Sequence, residues 1–404
     1  MKNSARHIAG IDFIRFAAAM AVLVYHLGLV GWSHQSTTIQ LVGGDTFLSP
    51  IWPGAWFAFI GVQVFFVISG VVIAFSASKA TAFTFLRDRI VRLAPAVWIC
   101  AIGSLAIYLA YNLLPADEAI KAFVREVVFW PRGDWLDVVV WTLGIEISFY
   151  ALVFALLCFQ RFSWITHLAA VLAIVSLCFQ ATTISLGCLD PLVMGACQTI
   201  HEQERTTQLA LLNHGGFFAI GIFLWLWLIE HRAKGHWWWA ALALISSALQ
   251  IADFTLLIRH SPWFGDRTIP DAVSIATSTG VWAIATGLIA YSIIRNENLQ
   301  KMLGASGGMI VRNMGLATYP LYLIHVIWGS FLIRVLKDAG ASLPVAIIGG
   351  MALIIGVSFL IARHVEPPLQ RWLRSGITRI GDWLAQIGWL KFLFDRRPGA
   401  NSAA

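Results

Sequence analysis

The apolar positions of this chain run rather than alternate. Ten stretches of about 20 mostly apolar residues recur, over 12–31, 54–77, 93–113, 138–159, 165–186, 209–229, 237–257, 272–294, 313–336 and 344–363. A helix rising 1.5 Å per residue needs about that length to cross ~30 Å of hydrocarbon. The pattern predicts an all-α integral membrane protein, a bundle of about ten transmembrane helices. The first run follows Lys2 and Arg6, as a signal peptide would. No small-residue cleavage site follows it, and Arg15 and His26 interrupt it, so it reads as a retained helix. After the tenth run the pattern changes. RWLRSGITRIGDWLAQIGWLKFLF mixes apolar and basic residues at roughly helical spacing, which suits a helix on a membrane surface and equally a solvated tail. The expected division is a transmembrane domain over 1–370 and a basic, amphipathic tail over 371–404.

Composition sharpens this. The chain is 58% hydrophobic and 12% charged, against about 25% charge in soluble proteins. That excludes a soluble enzyme, a disordered chain and a disulfide-stapled secreted domain. A net charge of +7 would suggest nucleic acid in a soluble protein, but no Lys/Arg run is long enough to form such a face. With a cytoplasmic N-terminus, nineteen of the 28 Lys and Arg fall in inside segments and seven in outside loops, the bias expected of cytoplasmic loops. Ten spans then return both termini to the cytoplasm, in a multi-pass protein of the cell inner membrane. No internal repeat is visible, which disfavours a transporter built from duplicated halves. The five cysteines have no metal-binding spacing, and no metal is expected. Cys188 and Cys197, in the loop between the fifth and sixth runs, read either as a disulfide in an oxidising compartment or as two free thiols. Cys100, Cys158 and Cys178 lie inside apolar runs and are expected reduced and buried.

Ionisable groups within apolar runs are costly and default to functional candidates. Arg15 and His26 share the first run, 11 residues and three turns apart, so on one face. Arg15 lies ~5 Å from the cytoplasmic end and reads as well as a snorkelling side chain; His26 lies ~21 Å deep. Its plainer reading is a histidine hydrogen-bonded between helices. Glu146, in WTLGIEISFY, is ~12 Å from the outer end of its run, and His26 ~9 Å from the same end, so the two are expected in one layer. A carboxylate on an imidazole nitrogen is the base-and-orienter pattern of acyl-transfer sites; a protonated Glu146 filling a packing gap is the plainer alternative. His325, in TYPLYLIHV, lies ~18 Å along the ninth run, either in that layer or as an interhelical contact. FLRDRIVRLAP, joining the second and third runs, carries Arg87, Arg89 and Arg92. Arginine suits bidentate phosphate recognition, and the same residues also fit ordinary cytoplasmic charge.

Together these residues resemble the membrane acyltransferase-3 family of bacterial O-acyltransferases that modify surface polysaccharides and some small molecules. Arg15 and His26, preceded by Asp12, match the first-span pattern. GVQVFFVISGVVIAFS is similar to the second-span motif, Arg89 and Arg92 with Pro95 to the Arg-x-x-Arg signature, and Trp141, Leu143 and Glu146 to the W-x-L-x-x-E segment. LATYPLYLIHV and VEPPLQRW are similar to the two closing motifs. Val71 and Val72 depart from the usual end of the second-span motif, and Thr318 replaces Ser. The resemblance, from about residue 8 to 370, implies acyl transfer from an acyl-CoA, acetyl-CoA above all, to a hydroxyl of a saccharide or glycan. It implies His26, Glu146 and His325 as candidate catalytic residues and Arg15, Arg89 and Arg92 as candidate acyl-CoA-binding residues. The implied partners are acyl-CoA, the saccharide acceptor and the lipid bilayer, without nucleic acid; a homo-oligomer is left open. The rival class is a transporter or flippase of a lipid-linked sugar or small metabolite, using the buried Arg, His and Glu as a proton relay.

Overall fold

The protein is described by a computed structural model over residues 8–32, 36–42, 53–185, 204–232, 235–261 and 268–395. Among the described residues every regular element is helical, as hydrocarbon requires of a chain that cannot leave backbone groups unpaired. Fifteen α-helices are described. They are α1 (Ala9–Gly28), α2 (Thr37–Val42), α3 (Ile60–Ala77), α4 (Ala82–Ala110) and α5 (Ala116–Val127). Next come α6 (Trp141–Cys158), α7 (Ile165–Ser185), α8 (Glu204–Leu209), α9 (Gly215–Leu228) and α10 (Trp237–Arg259). The last are α11 (Asp271–Ile294), α12 (Asn296–Ile324), α13 (Ile327–Asp338), α14 (Leu343–Leu360) and α15 (Glu366–Leu384).

Eight helical stretches among the described residues are long and apolar enough to cross a membrane, and the protein is a multi-pass membrane protein. Three expected runs take other forms. The 209–229 run yields the 14-residue α9, ~21 Å long, because the chain turns first: Leu211 has φ 61° and the Leu212 amide donates back to Thr207. The 313–336 run breaks into α12 and α13, bent by 78°. The tenth run continues through a π-helical turn, Ile361–Val365, into α15, a helical stretch of 42 residues from Leu343 to Leu384. The arginine-bearing segment expected as a connection is instead the first part of α4, which carries Pro95 within it. The amide that proline lacks costs one backbone bond, a loss that membrane helices absorb through their neighbours.

The chain forms two compact units. The first comprises 1–65, 96–142 and 251–366. At its centre α1 packs on α12, α11 and the 3₁₀ segment Pro53–Phe59. Small residues permit the approach. Gly315 has Asp12 directly on its α-carbon, Gly10 faces Ser292, and Gly61 faces the Ala18 carbonyl. A second apolar core joins Leu41 of α2, Ile107 and Tyr108 of α4, Ala119 and Ala122 of α5, and Val326 and Ile327 at the α12–α13 break.

The second unit comprises 66–95, 143–250 and 367–404. Its α9 is buried along nearly its whole length. Phe149 of α6 stacks on Phe218 at 4.4 Å between centroids, and Phe66 of α3 tilts against the same ring at 5.0 Å. The backbones of α3 and α9 cross at Gly70 and Gly221. A methyl on Gly221 would stand 2.2 Å from the Val67 carbonyl oxygen and 2.7 Å from the Gly70 α-carbon. Backbone cannot retreat as a flexible side-chain tip can, and overpacking of this kind costs about 1–3 kcal/mol. Gly221→Ala is therefore expected to lower the thermal unfolding midpoint of the solubilised protein. Gly280→Ala on α11, where no atom lies within 4 Å of the added carbon, is expected to leave the midpoint unchanged or raised. Equal effects would place the sensitivity elsewhere than at the crossing.

Candidate functional site

In the first unit, two of the candidate residues meet. His26 lies in the last turn of α1, partly exposed, and His325 sits at the C-terminus of α12, 1% exposed. His325 Nε2 is 3.1 Å from His26 Nδ1, and the ring centroids are 4.9 Å apart, edge to face. His26 Nδ1 is also 3.0 Å from the Val22 carbonyl oxygen, and His325 Nδ1 is 2.8 Å from that of Tyr322.

These three contacts fix where the protons are. A carbonyl oxygen only accepts, so each Nδ1 must carry the hydrogen. With Nδ1–H on His325, its Nε2 holds the lone pair and accepts from His26. His26 Nδ1–H is thus shared between the Val22 carbonyl and His325, and the free lone pair of His26 is on Nε2. At the break between α12 and α13 the His325 Nδ1–H donates to the Tyr322 carbonyl, and Pro320 within the last turns of α12 removes one backbone donor. Proline is a known cause of sharp kinks.

Aromatic rings frame the pair. Tyr25 meets His26 edge-on at 5.2 Å, and Tyr322 lies 5.7 Å from His325 and 5.5 Å from Phe65. Thr142 donates to the Val139 carbonyl and lies 3.0 Å from the Tyr322 hydroxyl, which donates to it. Arg15, three turns before His26 on α1, is partly buried.

The second unit holds another set. Glu146, on α6, accepts a 2.6 Å hydrogen bond from Ser69 of α3. Tyr150, one turn after Glu146, has its hydroxyl beside both groups. The Arg89 guanidinium lies 6.0 Å from the Tyr150 ring and 5.8 Å from that of Phe85, and its Nε is buried without a hydrogen-bond partner. Arg87 is turned elsewhere: it pairs with Asp88, which also binds Arg374 of α15, and reaches Thr378. Arg92 is partly buried on α4. Ser69, Tyr150, Tyr322 and Thr142 were not singled out by sequence. Among the described residues no group of three or more His, Cys, Asp or Glu is arranged to hold a metal ion. Cys100 is buried and Cys158 partly so, but Cys178 is exposed on α7 rather than buried, where the helix turns an apolar face outward. Cys188 and Cys197 lie outside the described residues.

The model of an acyltransferase domain, that of the acyltransferase-3 family, matches residues 8–363. The chain belongs to this family. As a family member it is a membrane acyltransferase, and the matched span takes in His26, His325, Glu146, Ser69 and all three α4 arginines. No curated protein and no solved structure matches the chain significantly.

One consequence concerns Glu146. Ser69→Ala would remove a donor to the Glu146 carboxyl, a bond worth about 0.5–1.5 kcal/mol. The variant acyltransferase is expected to unfold at lower denaturant concentration than the wild type. An unchanged midpoint would mean that water replaces the serine.

Proposed function

We propose that this acyltransferase moves an acyl group, acetyl in the first instance, from acyl-CoA to a hydroxyl of a saccharide or glycan, with His26 as general base. The observation that carries the reading is the bond from His26 Nδ1 to His325 Nε2, which leaves His26 Nε2 with an open lone pair on a partly exposed ring. Nε2 takes the proton of the acceptor hydroxyl as its oxygen attacks the thioester carbonyl. The carbon–sulfur bond breaks, and the departing thiolate recovers the proton from the imidazolium. His325 accepts from Nδ1–H throughout, holding the ring and its tautomer in the manner of a triad's third member. Arg89, Arg92 and Arg15 are the proposed holders of the CoA phosphates, and the unpartnered Nε of Arg89 supports that role for it. Glu146 is proposed to assist catalysis from its place beside Ser69 and Tyr150.

The proposed topology has ten crossings, counting α9 and the bent α12–α13 pair each as one, with both termini on the cytoplasmic side of the inner membrane. Loop charge supports it.

The deciding experiment supplies purified protein with acetyl-CoA and candidate saccharides and measures free CoA thiol together with the mass of the sugar. Thiol release matched to an acetyl-sized mass gain is expected; substrate movement across a vesicle without thiol release would establish the transporter class instead. His26→Ala should reduce transfer at least 100-fold, since general-base catalysis contributes about 10²–10⁴. Activity above about a tenth of wild type would remove the base role. His325→Leu should lose more activity than His325→Gln, because the glutamine oxygen still accepts from Nδ1–H.

The arginines generate a separate expectation. Arg89→Ala and Arg92→Ala should raise KM for acetyl-CoA about tenfold or more each, from charge-assisted bonds worth about 1.5–3 kcal/mol, with little change in KM for the acceptor. A change confined to the acceptor would reassign the α4 segment.

A further inference from the structure

Two buried carboxyls of the first unit take no part in the proposed acyl transfer. Glu126, at the end of α5, and Asp137, just before α6, are both 0% exposed. The Asp137 amide donates to Glu126 Oε2 at 3.1 Å, and the two carboxyls are themselves in hydrogen-bond contact. Asp137 Oδ2 accepts from the Ser104 hydroxyl at 2.7 Å, and the same hydroxyl accepts from the Trp328 indole at 3.1 Å. This leaves Asp137 Oδ1 and Glu126 Oε1, both buried and without a donor. Two carboxyls in contact, each with an unsatisfied oxygen, are satisfied by one proton held between them, and like charges at this range cannot both ionise without strong cost.

The chain of bonds ends somewhere particular. Trp328 is on the first turn of α13, three residues after His325, and the ring lies over Gly103 of α4, where no side chain fits. Val326 and Ile327, which form the break itself, pack in the same apolar core as α5, through Ala119 and Ala122, and Leu136 and Val139 beside Asp137. We propose that Glu126 and Asp137 share one proton and act as a positioning pair, holding through Ser104 and Trp328 the helix break that carries His325. The proposal rests on the reading that His325 orients His26.

Burial pushes Glu126 up to about 7, and burial with the charge of Glu126 raises Asp137 well above the usual carboxylate range. The titratable groups facing the pair from α4 are the Cys100 thiol, on which Glu366 also acts, and the Tyr108 phenol, which donates to the Leu136 carbonyl. On α5, Lys121 is paired with Asp117 and Arg125 donates to the Asp134 carbonyl. On α13, Arg334 binds Asp338 and Lys337 binds the Val42 carbonyl. Folded protein keeps the proton to higher pH than unfolded chain does, so between about pH 4 and 7 it binds more protons and loses stability as pH rises.

The test uses the full chain in detergent. The thermal unfolding midpoint of the wild type should fall as pH is raised from about 4 to 7, and hydrogen exchange at residues 326–330, corrected for the intrinsic rate, should rise over the same range. Asp137→Asn and Glu126→Gln, which leave one carboxyl and a permanent donor, should flatten both responses. A flat wild-type midpoint, or variants with the wild-type slope, would overturn the shared proton; exchange at 326–330 that ignores pH would overturn the link to the break. Should the variants not fold, infrared titration of the wild type serves. A carboxylic-acid carbonyl band present at pH 6 and lost as pH is raised above about 7 is expected, and its absence at pH 6 overturns the pair. None of these readouts needs substrate, so a failure of acyl transfer is separable from a failure of this proposal.

Discussion

A hydrogen bond between two imidazoles organises the first unit. Within an apolar bundle the tautomer of an imidazole is set by the protein groups it touches. Here two carbonyls, of Val22 and Tyr322, take the donor role away from any alternative and force His325 Nε2 to accept. His325 sits at the break between α12 and α13, so the ring bonded to His26 is carried at a bend in the chain. The close packing of α1 on α12, with Gly315 against Asp12, holds the two helices that carry the histidines together.

The two polar sets of the protein differ in kind. The histidine pair bonds ring to ring, is framed by aromatic rings and depends on backbone acceptors. The set in the second unit combines a carboxyl held by a hydroxyl with a guanidinium laid against aromatic rings.

Sequence made the helices legible wherever an apolar run and a helix coincide, because hydrocarbon leaves a spanning segment no other composition. It failed where a local turn interrupts a run. The segment over 209–214 opens on Leu, Ala, Leu, Leu and reads as the start of a span. Leu211 nevertheless takes a left-handed conformation and shortens α9; the Asn213, Gly215 and Gly216 that follow are turn signals which the surrounding apolar residues masked. His26 and His325 stood out because ionisable groups are rare in such runs. Their mutual bond did not, since spacing along two distant helices says nothing of which ring faces which. Ser69, Tyr150 and Thr142 lie inside segments that stood out as motifs but did not stand out singly, because hydroxyls are cheap in membrane helices. Glu126 and Asp137 lie in a polar stretch where acids are ordinary, and only burial makes them unusual.

The bonding of the two rings also governs how electrophiles meet them. A reagent that acylates or alkylates imidazole needs an unshared pair, and His325 has both nitrogens engaged, one donating and one accepting. His26 offers a single atom, Nε2. A covalent inhibitor shaped like the acyl donor would be captured there with one regiochemistry, and the neutral adduct, having given up its Nδ1 hydrogen, could no longer donate to His325 or to the Val22 carbonyl, so capture would also undo the bond that holds the ring.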